Sequence, residues 1–208
     1  MSEYNIPTGP GESEFTEKRS RFLGHVRRVE IEDEARAFIA EMKKKYYDAR
    51  HNCWCYSIKD GAERYSDDGE PQGSAGIPML EVLRRRELTN AVCVVTRYFG
   101  GVLLGTGGLL RAYTKATADA LDAAGVSAVR RWVETELPCS YAQMERLRQE
   151  AQSAGGIVED VEYGAGVTLR VLVPEELGES FAARIFDQSA GSVTVRVTGE
   201  SFRAVAVK

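Results

Sequence analysis

The chain has 208 residues, of which 43% are hydrophobic and 28% charged, and a net charge of −4; this is the composition of an ordinary folded protein, long enough for one large domain or two small ones. No apolar run approaches the roughly 18 residues of a membrane helix. The opening MSEYNIPTGPGESEF has no basic and apolar signal-peptide pattern, and four cysteines are too few for a disulfide framework, so reduced thiols, a cytoplasmic location and no membrane partner are expected.

From Ser20 the pattern alternates between strands and helices. SRFLGHVRRVE predicts a strand. DEARAFIAEMKKKYY predicts a helix, with Ala35, Phe38, Ile39, Met42 and Tyr46 at helical spacing. Its charges run from Glu32–Asp33–Glu34 to Lys43–Lys45, as a helix dipole favours. NCWCYSI predicts a strand, PMLEVLRRRE a short helix with Pro78 at its first position, and AVCVVTRYF a buried strand. Glycines follow, then GGLLRAYTKATADALDAAG predicts a helix with Thr106 as N-cap and Gly125 as C-cap.

The remainder predicts the order β-α-β-β-α-β, that of a ferredoxin-like unit. VETELPCS, GIVEDVEY, GVTLRVLV and the segment from Ser192 are its strands, and the segments from Tyr141 and Pro174 its helices. Domains of residues 1–131 and 132–208 are therefore expected. Charge divides with them: 20 basic and 19 acidic residues up to Arg131, against 7 basic and 12 acidic beyond it. A phosphate-binding surface must then be a local patch of the first domain, whereas the acidic second domain suits a protein partner.

Four stretches carry chemistry. In TRYFGGVLLGTGGLLRAY a strand ends, Gly100, Gly101, Gly105, Gly107 and Gly108 allow a tight turn, and a helix begins with free N–H groups. Arg97 and Arg111 could flank that mouth, with Lys115 one turn further along. The glycines serve either the turn alone or a phosphate as well, and Arg111, Lys115, Asp119 and Asp122 equally make an ordinary charged helix face. The motif matches neither a P-loop nor a dinucleotide fingerprint.

In YSDDGEPQGSAGIP, Asp67, Asp68 and Glu70 place three carboxylates within four residues. They suit a hard cation such as Mg²⁺ or acid–base work, or a solvated Asp-Gly turn. In RHNCWCYS, His51, Cys53 and Cys55 share one strand face. Their spacing is poor for tetrahedral zinc, and buried thiols beside a histidine are the plainer reading, with a His–Cys catalytic pair as a further alternative. The arginines of LRRRE suit a helix C-terminus or a phosphate.

RHNCWCYSI, YSDDGEPQGSAGIPML and VVTRYFGGVLLGTGGLLRAYTKATADAL, in that order, resemble the YigZ/IMPACT family of small cytoplasmic proteins. Cys55 departs from the small residue more frequent there, which counts against metal binding by the His-Cys-Cys set. The resemblance implies an α+β fold in two parts. The first is like the second domain of ribosomal protein uS-five, with a left-handed βαβ crossover; the second is ferredoxin-like, resembling a late domain of elongation factor G. Eukaryotic members regulate translation under amino-acid starvation through a partner system that does not carry over to this two-domain layout. Small-molecule kinases of the galactokinase type share the first fold, but their ATP-loop proline and serines are absent here.

The expectation is a non-enzymatic regulator of translation that binds RNA or the ribosome. Its surface would combine Gly100, Gly101, Gly105, Gly107, Gly108, Arg97, Arg111 and Lys115 with the adjacent Asp67, Asp68 and Glu70, and it calls for no cofactor, metal or catalytic residue. The alternatives are a Mg²⁺-dependent phosphotransferase or hydrolase using the DDGE turn, and a pure protein-interaction module.

Overall fold

The computed structural model describes residues 3–206, which form two compact units, residues 4–128 with 204–206 and residues 129–203 with residue 3. The first contains β1 (Tyr4–Pro7), β2 (Gly11–Glu17), β3 (Ser20–Arg28), α1 (Glu32–Lys45), β4 (His51–Ser57), β5 (Glu63–Ser66), α2 (Gly76–Arg85), β6 (Ala91–Tyr98) and α3 (Thr106–Ala124). Its sheet has the order β2–β3–β6–β4–β5 with every neighbouring pair antiparallel.

The central strand β6 shows why the sheet has helices on both faces. Val92 and Val94 pack with Phe38 and Met42 of α1. Cys93 and Val95 pack with Met79 and Leu83 of α2 and with Tyr113 and Ala116 of α3. A strand buried on both sides reads as a continuous apolar run, as AVCVV does. Helix α3 lies close to β2 and β3 because small residues meet there. A Cβ on Gly11 would come within 2.0 Å of the Ala120 carbonyl oxygen, and one on Gly24 within 2.6 Å of that of Ala116. Ser13 Oγ donates to the Ala116 carbonyl at 2.7 Å across the same seam.

The second unit is built from β7 (Val126–Cys139), α4 (Tyr141–Ser153), β8 (Ile157–Tyr163), β9 (Val167–Pro174), α5 (Gly178–Gln188) and β10 (Arg196–Ala206). Strand order β10–β7–β9–β8, antiparallel at β7–β9 and β9–β8, gives the ferredoxin-like arrangement. Leu137, Leu169, Val171 and Val173 of the sheet bury against Leu147 and Ala151 of α4 and Phe181 and Ile185 of α5. Among the described residues no helix is long and apolar enough to cross a membrane.

The structure differs from the sequence expectations at several points. Strands β1, β2 and β5 were not anticipated; β2, GESEFTE, is too acidic to look like a strand and is held by its register against β3. β7 starts at Val126, seven residues before the expected VETELPCS, because 126–132 continue the same extended run. Helix α2 starts at Gly76 rather than Pro78. Thr106 is not the N-cap of α3. Gly105 holds that position at φ +72°, and no side chain caps the helix.

Candidate nucleic-acid interface

Of the residues singled out in the sequence, His51, Glu70, Arg97 and Gly105 line a recess of about 440 Å³ at the end of β6, together with Arg50, Phe99 and Leu103. Arg97 and His51 sit opposite one another in the β4–β6 register, so the sheet itself brings them together. Glu70 arrives from the turn between β5 and α2.

That turn is organised by its own carboxylates. Asp67 accepts from three backbone N–H groups, those of Gly73 at 2.8 Å, Ala75 at 3.1 Å and Gly76 at 2.8 Å, and so closes the loop onto the start of α2. Asp68, at φ +41°, accepts from Lys43 Nζ at 2.6 Å and from the Asn52 N–H at 2.7 Å. Glu70 is 8% exposed, and its Oε1 accepts from Arg97 Nη1 at 2.7 Å and from the Tyr113 hydroxyl at 2.8 Å. The three carboxylates thus point to three different sets of protein donors rather than to a common centre. Among the described residues no three His, Cys, Asp or Glu side chains converge as metal ligands.

Arg97 is 5% exposed. Its Nη2 donates to Ser20 Oγ at 3.2 Å, and its Cζ lies 5.4 Å and 5.6 Å from the ring centres of Phe99 and Phe22. Its charge is engaged by Glu70 and its faces by two aromatic rings. Arg97 thus stands in the wall of the recess with its charge on Glu70 and Phe99 beside it.

Arg111 does not share that recess. It lines a neighbouring groove with Lys18, Lys115, Phe15 and Leu104, so the two arginines do not flank one mouth. Leu104 borders both hollows, and the 99–105 loop forms a ridge between them. Lys115 is engaged with Asp119 at 2.6 Å and lies over the Phe15 ring. Lys18, Arg19, Arg50 and Arg111 are exposed and, among the described residues, form no ion pair.

The glycines of the ridge have different causes. Gly101 and Gly105 have φ of +82° and +72°, where a side chain is strained. Gly100 packs against the β2–β3 turn, and a Cβ there would lie 2.0 Å from the Arg19 carbonyl oxygen. Gly108 would press on Leu104 Cβ at 2.9 Å, whereas a Cβ on Gly107 meets nothing nearer than Arg111 Nη1 at 3.8 Å. The first-turn N–H groups of α3 remain without a capping side chain.

His51 Nδ1 lies 2.9 Å from the Asp68 carbonyl oxygen and Nε2 lies 3.9 Å from Glu70 Oε1. Cys53 and Cys55 are fully buried. Burial pushes the Cys53 thiol far above its ordinary range, and its Sγ donates to the Asp67 carbonyl at 3.0 Å. A buried thiol held protonated is a poor nucleophile, so the His–Cys pairing considered from the sequence is set aside. Tyr113 is also held protonated, mainly by burial, with Glu70 acting in the same direction.

Sequence reasoning missed Lys18, Arg19, Arg50, Phe99 and Leu103 as parts of this surface. Phe99 at 42% and Leu103 at 82% exposure are apolar residues in a glycine-rich loop, a signal that was present. Nothing local could bring Lys18 and Arg19 to a loop some eighty residues away.

Residues 18–121 match the family described as the Impact N-terminal domain, and residues 137–192 match the one described as a domain of unknown function, DUF1949. The chain belongs to the IMPACT family. It is 36% identical over 188 residues to the IMPACT family member YvyE of Bacillus subtilis, covering 89% of this chain and 87% of that one. It is 34% identical over 197 residues to the IMPACT family member YigZ of Escherichia coli, covering 93% and 97%. A crystal structure described as that of a hypothetical protein matches with a TM-score of 0.59 at 32% identity, covering 96% of this chain and 98% of the other.

Proposed function

We propose that the protein is a non-enzymatic regulator of translation that binds RNA or the ribosome through the ridge and its two flanking hollows. The observation that carries this reading is the set of exposed, unpaired cations Lys18, Arg19, Arg50 and Arg111 around the ridge, in a chain whose net charge is −4. Cations left unpaired on an acidic protein suit a polyanion, whose phosphates release counterions when the protein binds. The open N-terminus of α3 adds N–H groups to the same surface. Phe99 offers an aromatic face of the kind on which unpaired bases stack, the usual mode of single-stranded RNA recognition, with Leu103 an exposed apolar neighbour. The acidic second unit suits a protein partner on the same assembly.

Chemistry at the carboxylates is disfavoured because Asp67, Asp68 and Glu70 are each engaged by protein donors. Co-sedimentation of the tagged protein with ribosomes and subunits at low and moderate salt tests the proposal. A salt-sensitive peak on a subunit supports it. A protein that stays at the top of the gradient under both conditions overturns it.

A further inference from the structure

We infer that the recess reads one splayed-out guanine of a single-stranded RNA, an inference that rests on the RNA reading above and gives it a base. Its inner wall presents acceptors. The Asp68 carbonyl can only accept, so at 2.9 Å it takes the proton on His51 Nδ1, and in the tautomer that this bond selects Nε2 is the accepting nitrogen. Glu70 Oε1 is occupied by Arg97 and Tyr113, whereas Oε2 takes a bond from no described residue. Both His51 and Glu70 line the recess, so a ligand that meets these two brings donors, whereas Arg97 Nε, buried without a partner among the described residues, is a donor at the same wall.

Charge narrows the ligand further. Arg97 already neutralises Glu70 at 2.7 Å, and Arg50 adds positive charge at the rim, so a cation is not favoured. A neutral group with two adjacent donors fits. Guanine presents N1–H beside its exocyclic amine. Adenine and cytosine set a ring acceptor beside theirs, and uracil flanks its one N–H with carbonyls. Each of these would leave a buried acceptor facing another acceptor, which costs more than simply leaving a bond unmade. The volume of about 440 Å³ lies within the roughly 300–1,000 Å³ typical of small-ligand sites. Phe99, held by Arg97, supplies a stacking face of the kind that grips extruded bases. The neighbouring phosphate then falls toward the uncapped start of α3, whose Gly105 and Thr106 line the same recess.

Labelled oligouridylates carrying one central guanosine, inosine, adenosine or cytidine, titrated against the full chain by fluorescence anisotropy, test this. Inosine keeps N1–H and lacks the amine, so wild type should bind the guanosine oligomer roughly tenfold more tightly than the inosine one. His51→Phe, which leaves the Glu70–Arg97 pair in place, should abolish that preference while retaining salt-sensitive binding to all four. Equal wild-type affinities across the series overturn the guanine reading and leave backbone binding standing. Absence of binding to every oligomer at low salt overturns the RNA reading together with it.

Discussion

Arg97 Nη1 donates to Glu70 Oε1 at 2.7 Å with both side chains buried, so a residue that looked like a phosphate ligand is half of an internal ion pair. Removing one partner of such a pair leaves an uncompensated buried charge, at a cost of about 3–5 kcal/mol. Arg97→Ala and Glu70→Ala are each expected to lower stability by that amount in urea unfolding. The double variant Arg97→Ala with Glu70→Ala should lose clearly less than the sum. Additive losses would refute the coupling.

Binding should instead be sensitive at the exposed cations. Arg50→Glu and Arg111→Glu are expected to weaken RNA binding and to reduce the slope of log K against log salt by about 0.7 for each phosphate no longer neutralised. Because both residues are exposed, thermal stability should change by no more than about 0.5 kcal/mol. An unchanged salt slope in both variants would remove this face from consideration.

The glycines of the ridge should separate by cause. Gly100→Ala must displace the Arg19 backbone and is expected to cost about 2–3 kcal/mol. Gly105→Ala, at φ +72° and ψ 165° with open space around its Cβ position, should cost about 1–3 kcal/mol. Gly107→Ala lies in the first turn of α3 and should be neutral or stabilising by about 0.5 kcal/mol. Equal losses at all three, read by denaturant midpoints, would contradict the geometry.

His25 supplies a pH dependence. It is 6% exposed, stacks on Tyr46, and has Glu12 3.3 Å from Nδ1. Burial holds its pKa below the usual 6.5, with Lys45 acting in the same direction and Glu12 and Glu41 opposing. The unfolded chain therefore binds the proton more readily than the folded one. Stability from this residue is full above about pH 6.5 and is lost as pH falls toward the folded pKa. His25→Phe should flatten the decline in melting temperature between about pH 7 and pH 5. A variant with the wild-type slope would assign the decline elsewhere.

The helices and inner strands were legible because their apolar spacing is local: Phe38, Ile39 and Met42 announce α1, and AVCVV announces β6. The β-α-β-β-α-β order of the second unit was legible for the same reason. β2 was not, since its strand character comes from pairing with β3. The site was half legible. Glycine spacing and the carboxylate turn marked where to look, but burial decides which arginine is free, and burial is a property of the whole fold. Arg97 and Arg111 look alike in the sequence, yet one ends inside and the other outside.

The strand order bears on how the first unit forms during synthesis. β3 and β4 each pair with β6 and not with one another, so the sheet lacks its middle until Ala91–Tyr98 has been made. Before then the chain holds two separate hairpins, β2–β3 and β4–β5, and a lone hairpin in water is marginal at best. Closing the sheet joins segments some seventy residues apart, a slow step for topologies rich in distant pairings. A nascent chain arrested ahead of β6 should therefore be open to proteases along its whole length, and protection should arrive in one step as that strand and α3 follow.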